Sequence, residues 1–303
     1  MNDRTIATNP DNMTLRDASP WFHERDVVMP GAKLRVATGP ANGDTLLCIH
    51  GVGRSWRDFA PLLSAFIPSW TVVAPDLRGH GGSSRTPGAY LIRDFLADII
   101  ALIGQLKQQV VIYGHSLGAM VAAVAAAECP DRVRAVIAED PPSAAFLNRV
   151  HETAYWPLFG AMQKLAGSSR DVSAIARALG DVVLQVDVDG RALRLRDVRD
   201  SASIRFSARW LCDVDPAVYT PILERSWRDG LDFPAVWSKV HCPTLLLAAD
   251  EAAGGMLGQA DAREILKRLP DGFLVEFPKI GHQIHWLAHE ATLRVVLGFL
   301  ESL

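Results

Sequence analysis

Val111-Ile-Tyr-Gly-His-Ser-Leu-Gly118 is the stretch on which the reading of this chain turns. An apolar, β-branched run ends in Gly114-His-Ser-Leu-Gly118, and an alanine-rich helical pattern follows at once. A serine between glycines at a strand-to-helix break sits on a sharp, strained turn that projects its hydroxyl clear of the sheet edge. The glycines two positions to either side stand where a larger side chain would crowd that turn. Gly-x-Ser-x-Gly is a weak pattern by itself. The strand before it and the helix after it make it specific.

Outward from this centre, strands and helices alternate. Upstream, residues 26–29 and 34–38 predict a hairpin turned at Pro30-Gly31, and residues 45–49 and 70–74 predict buried strands. Residues 91–106 predict an amphipathic helix with Phe95, Ile99, Leu102, Ile103 and Leu106 on one face. Downstream come a helix over 119–129 and a strand over 133–138 that ends in Glu139-Asp-Pro-Pro142. The alternation then stops. Residues 143–238 show helical spacing and scattered aromatics, with 182–195 readable either as a short hairpin or as helix ends. It resumes with a strand over 244–249, a helix over 260–269, a strand over 273–277, Gly281-His282 and a closing helix over 286–300. Such alternation predicts an α/β fold with a mostly parallel sheet covered on both faces. The domain expectation is a core of residues 1–142 and 239–303, with a helical cap, 143–238, inserted at the sheet's carboxyl edge where ligands bind. Residues 1–20 read as a loose arm.

Composition narrows the class. The chain has 303 residues, 49% of them apolar and 21% charged, which suits a globular protein with a large core. A net charge of −3 gives no electrostatic reason for a nucleic-acid or anionic-membrane partner. Cys48, Cys129, Cys212 and Cys242 form no C-x-x-C pair and read as free thiols in a reducing compartment. The N-terminus is polar, without the apolar core of a signal peptide, and no apolar run reaches membrane length, so a cytoplasmic location is expected. The sequon Asn12-Met-Thr14 carries no meaning in a cytosolic chain.

Taken together, the motifs resemble an α/β-hydrolase over residues ~22–142 and ~240–302. Four landmarks stand in that family's order: His50-Gly51 after one strand, Asp76-x-Arg-Gly-x-Gly81 after the next, the Ser116 turn, and Gly281-His282 after the last strand. The resemblance implies a nucleophilic Ser116 with His282 as its base, because the acid–base histidine comes late in the chain. It also implies an oxyanion hole built from the amides of Val52 and Leu117, donors worth about 2.7–4 kcal/mol each. Asp76, Arg78 and His80 are expected to brace loops. His50 should shape the oxyanion loop and His115 pack under the turn, while His285 and His289 are expected at surface positions of the closing helix, with a pocket position for one of them as the alternative.

The acid is where the sequence departs from the commonest family pattern. In the loop Ala249-Asp-Glu-Ala252, alanine stands where the acid is usually found. A minority of the family moves it to the tip of the strand after the nucleophile helix, which here is Asp140. Asp140 is preferred, Asp250 stays open as the alternative, and Glu251 is a distant third.

The serine argues against epoxide hydrolase and dehalogenase chemistry, which the family runs with an aspartate nucleophile. Acyl transfer remains. The expected activity is hydrolysis of an ester or lactone of an apolar, ring-containing small molecule, with Tyr155, Trp156, Phe159 and Trp210 as pocket candidates. A carbon–carbon bond hydrolase is the alternative; it would need groups gripping a second carboxylate, with Arg149, Arg205 and Arg209 as candidates. A non-catalytic small-molecule receptor is the remaining class. No cofactor or metal is expected, since no histidine–carboxylate set has ligand spacing.

Overall fold

A computed structural model describes residues 21–186 and 188–303, so the arm expected over residues 1–20 and the sequon within it lie outside the described residues. The strands are β1 (His23–Val28), β2 (Lys33–Thr38), β3 (Thr45–Ile49), β4 (Thr71–Pro75), β5 (Val110–His115), β6 (Val133–Glu139), β7 (Val183–Val186), β8 (Ala192–Arg194), β9 (Thr244–Ala249) and β10 (Gly272–Phe277). Eight of them form one sheet in the order β1-β2-β4-β3-β5-β6-β9-β10. β1 and β2 pair antiparallel, as does β2 with β4, and every pairing from β4 to β10 is parallel.

Position in the sheet follows from composition. β3, β5 and β9 are buried at every residue, and their continuous apolar runs are what a strand covered on both faces requires. The hairpin β1–β2 closes one edge, where β1 runs through His23, Glu24, Arg25 and Asp26 and is exposed at every residue but Val27. The helix Ile92–Gln105 buries Phe95, Ile99, Leu102 and Ile103, the stripe expected from its spacing, each worth about 1.5–3 kcal/mol when fully buried. The helix Leu117–Glu128 is buried along ten residues, because its alanines and glycine let it lie close against β5 and β6. The closing helix is not continuous. A short turn of helix, Ile284–Leu287, stops at Ala288, and His289–Glu301 starts afresh.

Residues 143–238 hold helices and one two-stranded sheet, β7–β8, so the ambiguous stretch over 182–195 is a hairpin followed by a short helix. Its helices start where the sequence supplies caps: Ser143, Asp171, Asp200 and Asp232 each accept a backbone N–H of the first turn. The segment is tied to the sheet side by Tyr90, whose hydroxyl donates to Asp215 at 2.7 Å, and by Asp215 N–H to the Gly79 carbonyl at 2.8 Å. No helix among the described residues is long and apolar enough to cross a membrane.

Candidate active site

Ser116 follows the last residue of β5 and precedes the first residue of the helix Leu117–Glu128, with φ 55° and ψ −116°. A non-glycine residue there is strained, and the flanking packing enforces it. A Cβ on Gly114 would stand 2.2 Å from the Gly118 carbonyl oxygen, and one on Gly118 would stand 1.9 Å from that of Ile49. Only glycine lets the helix descend so close to β3 and β5. Ser116 N–H donates to the Glu139 carbonyl at 2.9 Å, fastening the turn to β6.

The tip of β6 carries Asp140, also at positive φ, 42°. Its N–H donates to the Leu247 carbonyl at 2.7 Å. Its carboxylate accepts N–H bonds from Ala249 (3.1 Å), Met256 (2.8 Å) and Leu257 (3.2 Å), which hold the group fully buried in one orientation. His282 lies past β10, on a loop that crosses the end of β9. Its Nδ1 is 2.6 Å from Asp140 Oδ2, and its Nε2 is 2.9 Å from Ser116 Oγ. The structure thus brings Ser116, His282 and Asp140 into one hydrogen-bonded chain.

Asp250 stands apart from it. One carboxylate oxygen accepts from Ala252 N–H at 2.9 Å and the other from Lys279 N–H at 2.8 Å, and its own N–H reaches the Ile280 carbonyl. These bonds hold its carboxyl below the usual range, Lys279 contributing most. Asp250 therefore braces the loop that carries His282, and Glu251 begins the short turn that Asp250 caps. The contact with the imidazole belongs to Asp140 because β6 lies between β5 and β9, one strand closer to the serine.

The loop after β3 lies against the serine. A Cβ on Gly51 would meet His115 Nδ1 at 3.0 Å and Ser116 Cβ at 3.2 Å. Its shape is set by two histidines: His50 Nε2 accepts Leu77 N–H at 2.9 Å, and His80 Nε2 accepts Gly53 N–H at 3.0 Å. Burial pushes both imidazoles down, His50 to about 3 and His80 to about 4, so they stay neutral and able to accept. Asp76 takes N–H bonds from Trp56 and Gly82 at 2.8 Å each, and Arg78 is held bidentately by Asp98. Among the described residues, the N–H groups of Val52 and Leu117 have no protein acceptor, as an oxyanion hole requires.

His285 overturns the expectation of a surface position. It is fully buried, with Nδ1 2.6 Å from Glu139 Oε1 and Nε2 3.7 Å from Asp58 Oδ2. Burial alone would depress its pKa, but Glu139 and Asp58 carry it to about 10, while His285 carries Glu139 down to about 2 against burial. His115 completes the group, its Nε2 3.0 Å from the His282 carbonyl and its ring centroid 4.7 Å from that of His282. Donor atoms of His115, Glu139 and His285 lie within 4.8 Å of one another, the spacing of a metal site. A protonated His285 is no metal ligand, and Glu139 already accepts from Tyr113 and His285, so the set reads as a buried ion-pair network. His285→Ala would leave two buried carboxylates uncompensated and is expected to cost about 3–5 kcal/mol in urea unfolding. Because His285 is raised from 6.5 to about 10, its contribution is complete below pH 6.5 and is lost as pH rises toward 10. A pH series of unfolding midpoints should show that slope in the wild type and lose it in the variant.

A cavity of about 780 Å³ opens beside His282, bounded by Tyr155, Leu158, Arg199, Ser203 and Gln283. Of the four aromatic candidates, Tyr155 is in this wall; its ring centroid is 6.0 Å from that of His282 and its hydroxyl donates to the Gly254 carbonyl. The other three are not. Trp156 turns toward His151, Phe159 packs behind Tyr155, and Trp210 packs among Phe206 and Trp286. Tyr155, Leu158 and Phe159 share a helix face, but the Phe159 ring lies behind Tyr155 toward Tyr219, 6.3 Å away, while Trp156 is turned off that face. The arginine candidates also point elsewhere. Arg205 bonds Ser173, Arg209 pairs with Asp213, and Arg149 pairs with Glu152 at the cavity rim, 73% exposed. Two arginines that no sequence pattern singled out lie nearer the serine and histidine: Arg199 lines the cavity with His282, and Arg54 is buried on the loop that packs against Ser116.

Comparison with known proteins shows what the chain as a whole is similar to. The chain is 26% identical to 2-(acetamidomethylene)succinate hydrolase of Mesorhizobium japonicum, over 96% of this chain and all of that one. It is 25% identical to (E)-2-((N-methylformamido)methylene)succinate hydrolase of Acinetobacter baylyi, over 86% of this chain and 91% of the relative. The structure of the enol-lactonase from Burkholderia xenovorans LB400 superposes with a TM-score of 0.69 at 18% identity, covering 91% of this chain and all of that one. The profile described as "Alpha/beta hydrolase family" matches residues 46–295. This chain is a member of the alpha/beta hydrolase family, and a hydrolase.

Proposed function

We propose that the protein hydrolyses a carboxylic ester or lactone of a small molecule through an acyl-enzyme, with residues 143–238 as the cap over the site. The observation that carries this reading is the hydrogen-bonded chain Ser116–His282–Asp140, whose His282 lines the cavity. A serine hydroxyl is a weak nucleophile until a base takes its proton in the attack. His282 Nε2, at 2.9 Å, takes it and returns it to the leaving group; Asp140 holds the imidazole so that Nε2 faces the serine. The Val52 and Leu117 amides receive the oxyanion, and water then releases the acyl group. A second reading, cleavage of an acyl–nitrogen bond by the same steps, is favoured by the names of the two relatives above, which contain acetamido and formamido groups.

The test is covalent labelling with a fluorophosphonate, followed by a panel of esters, lactones and amides. A phosphonylated Ser116 and turnover of an ester or lactone are expected. Turnover confined to amides would select the second reading, and turnover confined to vinylogous diketones would overturn both. Burial pushes the His282 imidazole below 6.5, against the pull of Asp140. The base must be neutral, so kcat/KM is expected to fall with decreasing pH through a single limb centred below 6.5. An acid limb well above that value would contradict the assignment of His282.

A further inference from the structure

Arg54 is anomalous. It is 7% exposed, yet among the described residues no carboxylate lies within ion-pair distance of it. The other well-buried arginine among the described residues, Arg78, shows the ordinary solution: two bonds of 2.7 and 2.8 Å to Asp98. Arg54 has only the face of Trp210, 4.6 Å from its guanidinium carbon, and a long 3.5 Å contact to the Ser207 hydroxyl. A buried charge left in that state is costly unless something else completes it. Its place in the chain is equally pointed. It stands two residues beyond Val52, on the loop packed against Ser116.

A second cation lies within electrostatic reach of Arg54. Arg199 lines the cavity beside His282, and one of its nitrogens bonds Gln283 Oε1 at 3.3 Å. Burial lowers the Arg54 pKa and Arg199 lowers it further, so the two guanidinium groups repel one another. Tyr155, in the cavity wall, feels both. The carboxylate acting most strongly on Arg54 is Asp58, which is already engaged with Trp286 and stands between His115 and His285. Two cations brought together beside a nucleophile, neither with a carboxylate partner, are complementary to an anion, and planar guanidinium groups suit a carboxylate.

We propose that Arg54 and Arg199 form a carboxylate-binding subsite beside Ser116, so that the substrate is an organic acid whose scissile carbonyl lies a few bonds from a carboxylate. The proposal rests on the hydrolase reading of Ser116 and adds the substrate's charge to it. It also explains why Arg54 sits in a desolvated place: there a bound carboxylate is gripped without competition from water.

The experiment compares monoethyl succinate with ethyl pentanoate, its uncharged analogue of similar length, in wild type, Arg54→Met, Arg54→Lys and Arg199→Met. Wild-type kcat/KM is expected to favour the half-ester by about 100-fold, as charge-assisted hydrogen bonds allow. That ratio should fall toward one in Arg54→Met and Arg199→Met and be partly kept in Arg54→Lys. Succinate itself should bind the wild type in calorimetry and bind Arg54→Met more weakly. Removal of an unpaired buried charge should also raise the Tm of Arg54→Met. A ratio near one in the wild type, or no succinate binding, overturns the subsite even if Ser116 is labelled by a fluorophosphonate. Absence of labelling alongside succinate binding overturns the hydrolytic mechanism and leaves the subsite standing. A lower Tm in Arg54→Met with an unchanged ratio would make Arg54 a packing residue.

Discussion

Ser116→Ala is expected to lower kcat on the best ester or lactone by about 10⁶-fold, the scale of nucleophile removal in serine hydrolases of this kind. The variant keeps the histidine, the Asp140 carboxylate and the two free amides, so a residue of rate over water, about 10³–10⁴-fold, should survive through positioning and oxyanion contacts. The fold should tolerate the change well. Alanine relieves none of the backbone strain at φ 55°, but it leaves the Ser116 N–H bond to Glu139 and the close passage of Gly114 and Gly118 untouched. The measurement is steady-state kinetics together with the mass of the fluorophosphonate adduct. Wild type should gain one adduct on Ser116 and the variant none. Turnover that survives the substitution largely intact would remove Ser116 from the mechanism.

Asp140→Asn carries the second largest expectation, about 10⁴-fold in kcat, because an amide nitrogen facing His282 Nδ1 favours the wrong tautomer. The same amide cannot accept from all of Ala249, Met256 and Leu257, so about 1–3 kcal/mol of stability should go as well. Circular dichroism separates the two effects by showing that the variant is folded at the assay temperature. Asp250→Asn is the control. It weakens a turn cap, worth about 1 kcal/mol, and should change kcat only slightly. The reverse pattern, with Asp250→Asn inactive and Asp140→Asn unaffected, would transfer the acid to the end of β9.

Much of this was legible in one dimension. The strands over residues 45–49 and 244–249 and the helix beginning near residue 92 carry their period and their burial in their own apolar residues. The serine turn announced itself because its glycines are a local steric requirement between neighbours in sequence. The histidines 50 and 80 could be placed as loop braces because their motifs lie directly after strands. His285 was misplaced for a related reason. Helical spacing near a chain end describes one face of one helix, whereas its partners Asp58 and Glu139 come from two other parts of the fold.

The sequence by itself determined the alternating α/β order, the serine turn and the late histidine that meets it, and it narrowed that histidine's carboxylate partner to Asp140 or Asp250. Those features depend on local backbone geometry or on chain order, which residues near in sequence specify. The tertiary structure alone decided which carboxylate touches His282, that Tyr155 rather than Trp156, Phe159 or Trp210 faces the cavity, and that Arg54 is buried against Trp210 with no carboxylate partner among the described residues. Each of those is a contact between segments far apart in the chain. The strand order and the path of the segment over residues 143–238 create them, and no spacing within one segment encodes them.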